Sequence, residues 1–117
     1  MSVRERDIEA WLKGQVRDMG GLYLKFVSPG NDGVPDRIVI FPDGRLVFVE
    51  LKTDGGKLSK VQRYQLNRLI LMGQQVAVIR GMAGAEHFIR DMEKHVGSSC
   101  IYCETGSLLM KELLYGI

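Results

Sequence analysis

Two runs of β-branched and aromatic residues, Asp36 to Phe41 and Arg45 to Leu51, stand on either side of Pro42-Asp43-Gly44. This pattern predicts a β-hairpin, and its register decides which side chains share a face. If the three residues form the connection, with Pro42 second in a type I turn and Gly44 left-handed, Phe41 pairs with Arg45 and Asp36 falls opposite Glu50. A two-residue loop at Asp43-Gly44 would instead pair Pro42 with Arg45 and set Asp36 opposite Leu51, on the other face. Proline fits the second position of a type I turn and is awkward within a ladder, which favours the first register.

The rest of the chain supplies elements to cover this hairpin. From Val3 to Met19, Ile8, Trp11, Leu12, Gln15, Val16 and Met19 recur at helical spacing, and Gly20-Gly21 stops the helix. Leu22 to Val27 reads as a strand, and Ser28 to Pro35 as a turn-rich loop. Asp54 to Ser59 is a second polar loop, and Ser59 is a plausible cap for a helix running through Met72. Gln75 to Arg80 holds a continuous apolar run suited to a buried strand, and Ala83 to Val96 reads as a third helix. The order is α-β-β-β-α-β-α, and the helix between the third and fourth strands implies a parallel crossover beside the antiparallel hairpin. An α/β fold is expected, a mixed β-sheet flanked by helices. Residues 1–96 form its domain and 97–117 a tail, with a short helix around Leu108 to Tyr115 that packs on the core or on a dimer partner.

Three ionisable residues interrupt strands that should be buried: Asp36 at the start of one, and Glu50 and Lys52 at the end of the next. Charged groups in such places need a partner or a metal. Strand alternation puts Glu50 and Lys52 on one face and Leu51 on the other. In the favoured register Asp36 joins the first face, and two bare carboxylates in opposition repel. A divalent cation resolves the repulsion, and oxygen-only ligation suits Mg²⁺ or Mn²⁺ rather than zinc. Such a site can activate water for in-line attack on a phosphodiester, with Lys52 orienting that water or helping to deprotonate it. The plainer reading is a solvated, salt-bridged hairpin end.

Pro35-Asp36 followed by Glu50-Leu51-Lys52 resembles the PD-(D/E)XK nuclease signature. Gly33-Val34-Pro35-Asp36-Arg37, Phe48-Val49-Glu50-Leu51-Lys52-Thr53 and Gln62 are similar to the VRR-NUC family in particular. The likeness covers about residues 5 to 80 and leaves the tail aside. It implies a restriction-endonuclease-like fold and a metal-dependent endonuclease, of the kind found as compact phage or bacterial proteins that act as homodimers on branched DNA such as Holliday junctions. Carried over, Asp36 and Glu50 resemble the metal-binding carboxylates, Lys52 the catalytic lysine, and the Leu51 carbonyl a further ligand. Gln62 matches a glutamine on the following helix, there to orient water or contact phosphate. Glu5 best matches an N-terminal acidic residue that approaches the metal, and Glu9, one turn later, is its rival. The alternatives are a catalytically silent DNA- or junction-binding module, or a subunit active only within a larger repair complex. Intact Asp36, Glu50 and Lys52 argue against silence.

Composition alone gives little sign of nucleic acid: 16 Lys+Arg against 14 Asp+Glu leave +2. The charge is uneven, however. Residues 53 to 82 carry five basic groups and one acidic, directly behind Glu50-Leu51-Lys52. Lys57, Lys60, Arg63 and Arg68 lie on the glycine-rich loop and its helix, where they can neutralise phosphates. Lys25 and the Ser28 to Asn31 loop are further candidates for DNA contact. No element resembles a base-reading helix, so backbone and shape are the expected means of recognition.

Other signals are weaker. Cys100 and Cys103 have the spacing of half a zinc site, but with His95 they supply at most three ligands. Trp11 reads as core, and His87 and His95 as surface. The tail's Leu108, Leu109, Leu113, Leu114 and Tyr115 carry more apolar surface than a short tail hides, which points to packing across a dimer. The charged start and the lack of any run near the ~18 apolar residues of a membrane span suggest an intracellular protein with no membrane partner.

Overall fold

The computed structural model describes residues 4–94 and the strand at 101–102. Helix α1 (Glu5–Asp18) begins after Arg4, two residues later than the periodicity placed it, with Glu5 and Asp7 in its first turn, where acidic side chains favour the helix dipole. Ile8, Leu12 and Val16 are fully buried along one stripe. Strands β1 (Leu22–Lys25), β2 (Arg37–Ile40) and β3 (Leu46–Lys52) follow, then α2 (Lys60–Leu71), β4 (Gln75–Arg80), α3 (Gly81–Lys94) and β5 (Ile101–Tyr102).

The five strands lie side by side in chain order. The first three run antiparallel, and β3, β4 and β5 are parallel. The expected mixed sheet is therefore present, with one addition. β5 extends the sheet into the segment read as a tail, and the helix expected around Leu108 to Tyr115 lies outside the described residues.

Hydrophobic alternation splits the core in two. Val39, Val47, Val49, Leu51, Ala77 and Ile79 point to the face covered by α1 and α3, where they meet Ile8, Leu12, Phe88 and Met92. Val76 and Val78 point the other way and pack with Leu58 and Leu66 under α2, beside Phe48 and Leu69. Each fully buried aliphatic side chain here contributes about 1.5–3 kcal/mol.

The hairpin adopts the register that proline chemistry favours. Phe41 N–H donates to Arg45 O at 2.9 Å, Gly44 N–H donates to Phe41 O at 2.9 Å, and Gly44 takes φ +93°. Ile40 pairs with Leu46 and Arg37 with Val49, so the next step sets Asp36 across from Glu50. Arg45, buried at the start of β3, keeps its charge satisfied: Nε lies 2.8 Å from Asp43 Oδ2 and Nη2 donates to Met92 O at 2.9 Å.

The third helix starts earlier than expected. Gly81 leads from β4 straight into α3 at φ +65°, a left-handed conformation that favours glycine, and a Cβ there would also meet the exposed Asp54 carboxylate.

Candidate active site

Glu50 is the centre of the site, 6% exposed near the C-terminal end of β3. Gln62 Nε2 donates to its Oε2 at 3.4 Å, and Lys52 Nζ lies 3.9 Å from the same oxygen. Burial, followed by the charge of Asp36, pushes the Glu50 carboxyl up to about 7, against the opposing pull of Lys52. Two carboxylates and one partly buried ammonium thus share the α2 face of the sheet at the hairpin's open end.

Gln62 is held from two sides. Ser59 and Gln62 form a capping box: Ser59 Oγ accepts from Gln62 N–H at 3.1 Å, and Ser59 N–H donates to Gln62 Oε1 at 2.9 Å. With Oε1 engaged there, its amide nitrogen is directed at Glu50.

Asp36 stands at a bend just before β2, its side chain 56% exposed. The loop leading to it is fastened to α2. Gly33, at φ +85°, lies so close to that helix that a Cβ would come within 2.7 Å of the Val61 carbonyl carbon, and Gln65 Nε2 donates to Asp32 O at 3.1 Å. Gln65, buried at 8%, is a site-supporting residue that sequence reasoning missed; the available signal was a polar residue on the inward stripe of α2. Arg80 was missed too: its Nε donates to Gly56 O at 3.1 Å and pins the glycine-rich loop beside Lys52.

The two acidic candidates on α1 separate cleanly. Glu9 pairs with Arg37, Nε to Oε2 at 2.8 Å, and accepts from the Tyr23 hydroxyl at 3.2 Å. Burial, then this carboxylate, pushes the Tyr23 hydroxyl well above its usual range. Glu5 is exposed in the first turn, and its charge is among those that raise Glu50. Even so, no three His, Cys, Asp or Glu side chains among the described residues are grouped closely enough to hold a metal ion together. Glu5 is therefore not brought into one cluster with Asp36 and Glu50. The Leu51 side chain is buried in the core on the opposite face, so only its backbone carbonyl can serve the site.

The basic candidates divide as well. Lys57 and Lys60 are exposed on the glycine-rich loop and the first position of α2, and Arg63 is half-buried one turn on. Arg68 lies over the Tyr64 ring at 5.5 Å and donates to Gln65 at 3.3 Å. Lys25 pairs with Arg37 in the β1–β2 ladder, so alternation sets it on the α1 face, away from Glu50. Ser28 Oγ accepts from Asn31 Nδ2 at 2.9 Å and shapes the loop. His87 pairs with Asp91 at 3.2 Å on α3, and Trp11 packs against the core. His95, Cys100 and Cys103 lie outside the residues whose side chains are described.

Residues 10–83 match the family model described as the VRR-NUC domain. The chain belongs to this family. The chain is also similar to a curated phage protein, "Putative nuclease p44" of Acyrthosiphon pisum secondary endosymbiont phage 1, at 47% identity over 77 residues, 66% of this chain and 83% of the relative. A solved structure of a VRR_NUC domain, 29% identical, superposes with a TM-score of 0.70 over 74% of this chain and 94% of that one. The matched stretch of this VRR-NUC domain contains Asp36, Glu50, Lys52 and Gln62, and it ends as α3 begins. Among the described residues no helix is long and apolar enough to cross a membrane.

Proposed function

We propose that this VRR-NUC domain is a Mg²⁺- or Mn²⁺-dependent DNA endonuclease of the PD-(D/E)XK type. Its proposed substrate is branched DNA such as Holliday junctions, bound by a homodimer inside the cell. The observation that carries the reading is the pairing of Asp36 with Glu50 across the hairpin, with Lys52 and Gln62 both on the Glu50 carboxylate.

The donors suit such a cation. A buried carboxyl that burial and a second carboxylate push toward protonation is short of positive charge, and hard oxygen donors match Mg²⁺ and Mn²⁺. Asp36 and Glu50 would hold the ion with the Leu51 carbonyl, and Glu5, outside that cluster, would add only its charge, which already bears on Glu50. When bound, the ion would supply charge neutralisation at the phosphoryl group and a more acidic water.

The protein groups do the rest. Gln62 fixes the rotamer of Glu50 through one amide nitrogen while the helix cap fixes Gln62. Lys52, held beside Glu50 and largely shielded from solvent, presents an ammonium that orients the attacking water and stabilises charge on the phosphoryl oxygens, a role worth about 10²–10³ in rate. Lys57 and Lys60, exposed where α2 begins, bind flanking phosphates, with Arg63 a turn further on.

The test is incubation of a labelled four-way junction with the protein and Mg²⁺ or Mn²⁺, beside Asp36→Ala and Lys52→Ala. Metal-dependent cutting by the parent, abolished in both variants, is expected. Cutting that persists in both would remove the assigned site, and binding without cutting by the parent would leave a junction-binding module.

A further inference from the structure

Glu9 does not face the Glu50 cluster, yet it bears on Asp36 through Arg37. The Arg37 guanidinium forks onto Glu9, with Nε 2.8 Å from Oε2 and Nη2 donating to Oε1 at 3.1 Å. Its remaining nitrogen, Nη1, donates to the backbone carbonyl of Asp36 at 2.8 Å and lies 3.7 Å from Asp36 Oδ2. One guanidinium therefore stands between two carboxylates. A planar guanidinium binds a carboxylate best as a two-bond fork, and only one of the two can have it. Here Glu9 has it. The Arg37 side chain is 19% exposed and that of Glu9 31%, while Asp36 keeps 56% and only the long contact.

We propose that Glu9 is a positioning residue for the site: by occupying Arg37 it leaves the Asp36 carboxylate available to a cation. The proposal rests on the metal-nuclease reading above. It predicts an effect that a merely structural ion pair would not produce. In Glu9→Gln the guanidinium loses its charged partner, and the nearest remaining carboxylate is Asp36. Arg37 then closes on Asp36 and competes with the metal. Removing the competitor as well, in Glu9→Gln/Arg37→Gln, sets Asp36 free again.

The experiment is calorimetric titration of Mn²⁺ into the full chain, with melting curves for each variant. Glu9→Gln is expected to raise the half-saturating Mn²⁺ about tenfold, the scale on which groups that orient metal ligands act. The double variant is expected to return to within about threefold of the parent. A Glu9→Gln variant that binds as the parent does, or a double variant as weak as the single, overturns the proposal. Should Glu9→Gln not melt cooperatively, Arg37→Gln carries the test: binding within threefold of the parent supports the proposal, and a tenfold loss overturns it. A parent that binds no Mn²⁺ overturns the metal reading and this proposal with it. A parent whose binding is lost in Asp36→Ala but unchanged in Glu9→Gln overturns the proposal alone.

Discussion

Gln62 reaches Glu50 with one end of its amide and the Ser59 backbone with the other: Nε2 donates to Glu50 Oε2 at 3.4 Å, and Oε1 accepts from Ser59 N–H at 2.9 Å. The side chain that caps α2 therefore also orients the buried carboxylate. Gln62→Ala should cost about 1 kcal/mol through the lost cap. Gln62→Glu keeps the capping acceptor but adds a further carboxylate, beside Asp36, against Glu50. It should melt near the parent at pH 5, where the pair shares protons, and several degrees lower at pH 8. A melting difference that does not change between those pH values would show that Gln62 serves the helix alone.

The pH dependence of stability without metal follows from Glu50. Its carboxyl titrates near 7 in the folded protein and near 4.5 in the unfolded chain. Between those values the native state holds the extra proton, so stability is full below about 4.5 and falls as pH rises through about 7. Glu50→Gln removes this dependence and should be more stable than the parent at pH 8 by about 2–3 kcal/mol. Urea midpoints in EDTA at pH 5 and pH 8 check it, and parallel pH profiles for parent and variant would contradict it.

Gly33 and Gly30 both have positive φ, but only Gly33 meets another element. A Cβ at Gly30 finds open space, whereas at Gly33 it would press on the Val61 carbonyl in the first turn of α2. Gly30→Ala should cost about 1–2 kcal/mol for the left-handed conformation alone. Gly33→Ala adds an overpacking cost of about 1–3 kcal/mol and displaces the loop that presents Asp36. Equal losses of stability in the two variants would mean that the contact between loop and helix carries no weight.

Lys57 and Lys60 are exposed beside the site, and their role in DNA binding is electrostatic in this account. Replacing both by Ala should weaken binding of all sequences alike and reduce the salt slope of log affinity by about 2. Anisotropy titrations over a range of salt measure this, and an unchanged slope would place the DNA elsewhere.

How much of this was legible in the sequence depended on whether local chemistry closed off the alternatives. The hairpin register was legible because Pro42 and Gly44 each suit one position of one turn, and Glu50 and Lys52 then follow by alternation. The α2 start was legible because Ser59 is a natural cap, although the reciprocal bond from Gln62 was not read. The choice between Glu5 and Glu9 was not legible. Both lie on one helix a turn apart, and only the approach of Arg37 from β2 decides which is occupied. Lys25 shows a related limit: its charge is plain in the sequence, whereas the parity that sets it on the α1 face follows only from the β1–β2 ladder. β5 is two residues long, too short for any periodicity to show. Gln65 and Arg80 act through the backbone of distant loops, contacts that depend on tertiary packing alone.

In the proposed function Asp36 and Glu50 together hold a divalent cation. Calorimetric titration of Mn²⁺ into the metal-free chain, beside Asp36→Asn and Glu50→Gln, tests it most directly. Saturable binding by the parent is expected, weaker below pH 7 as protons compete for Glu50, and its loss in both variants while each still melts cooperatively. Binding of equal strength in the parent and both variants would contradict it.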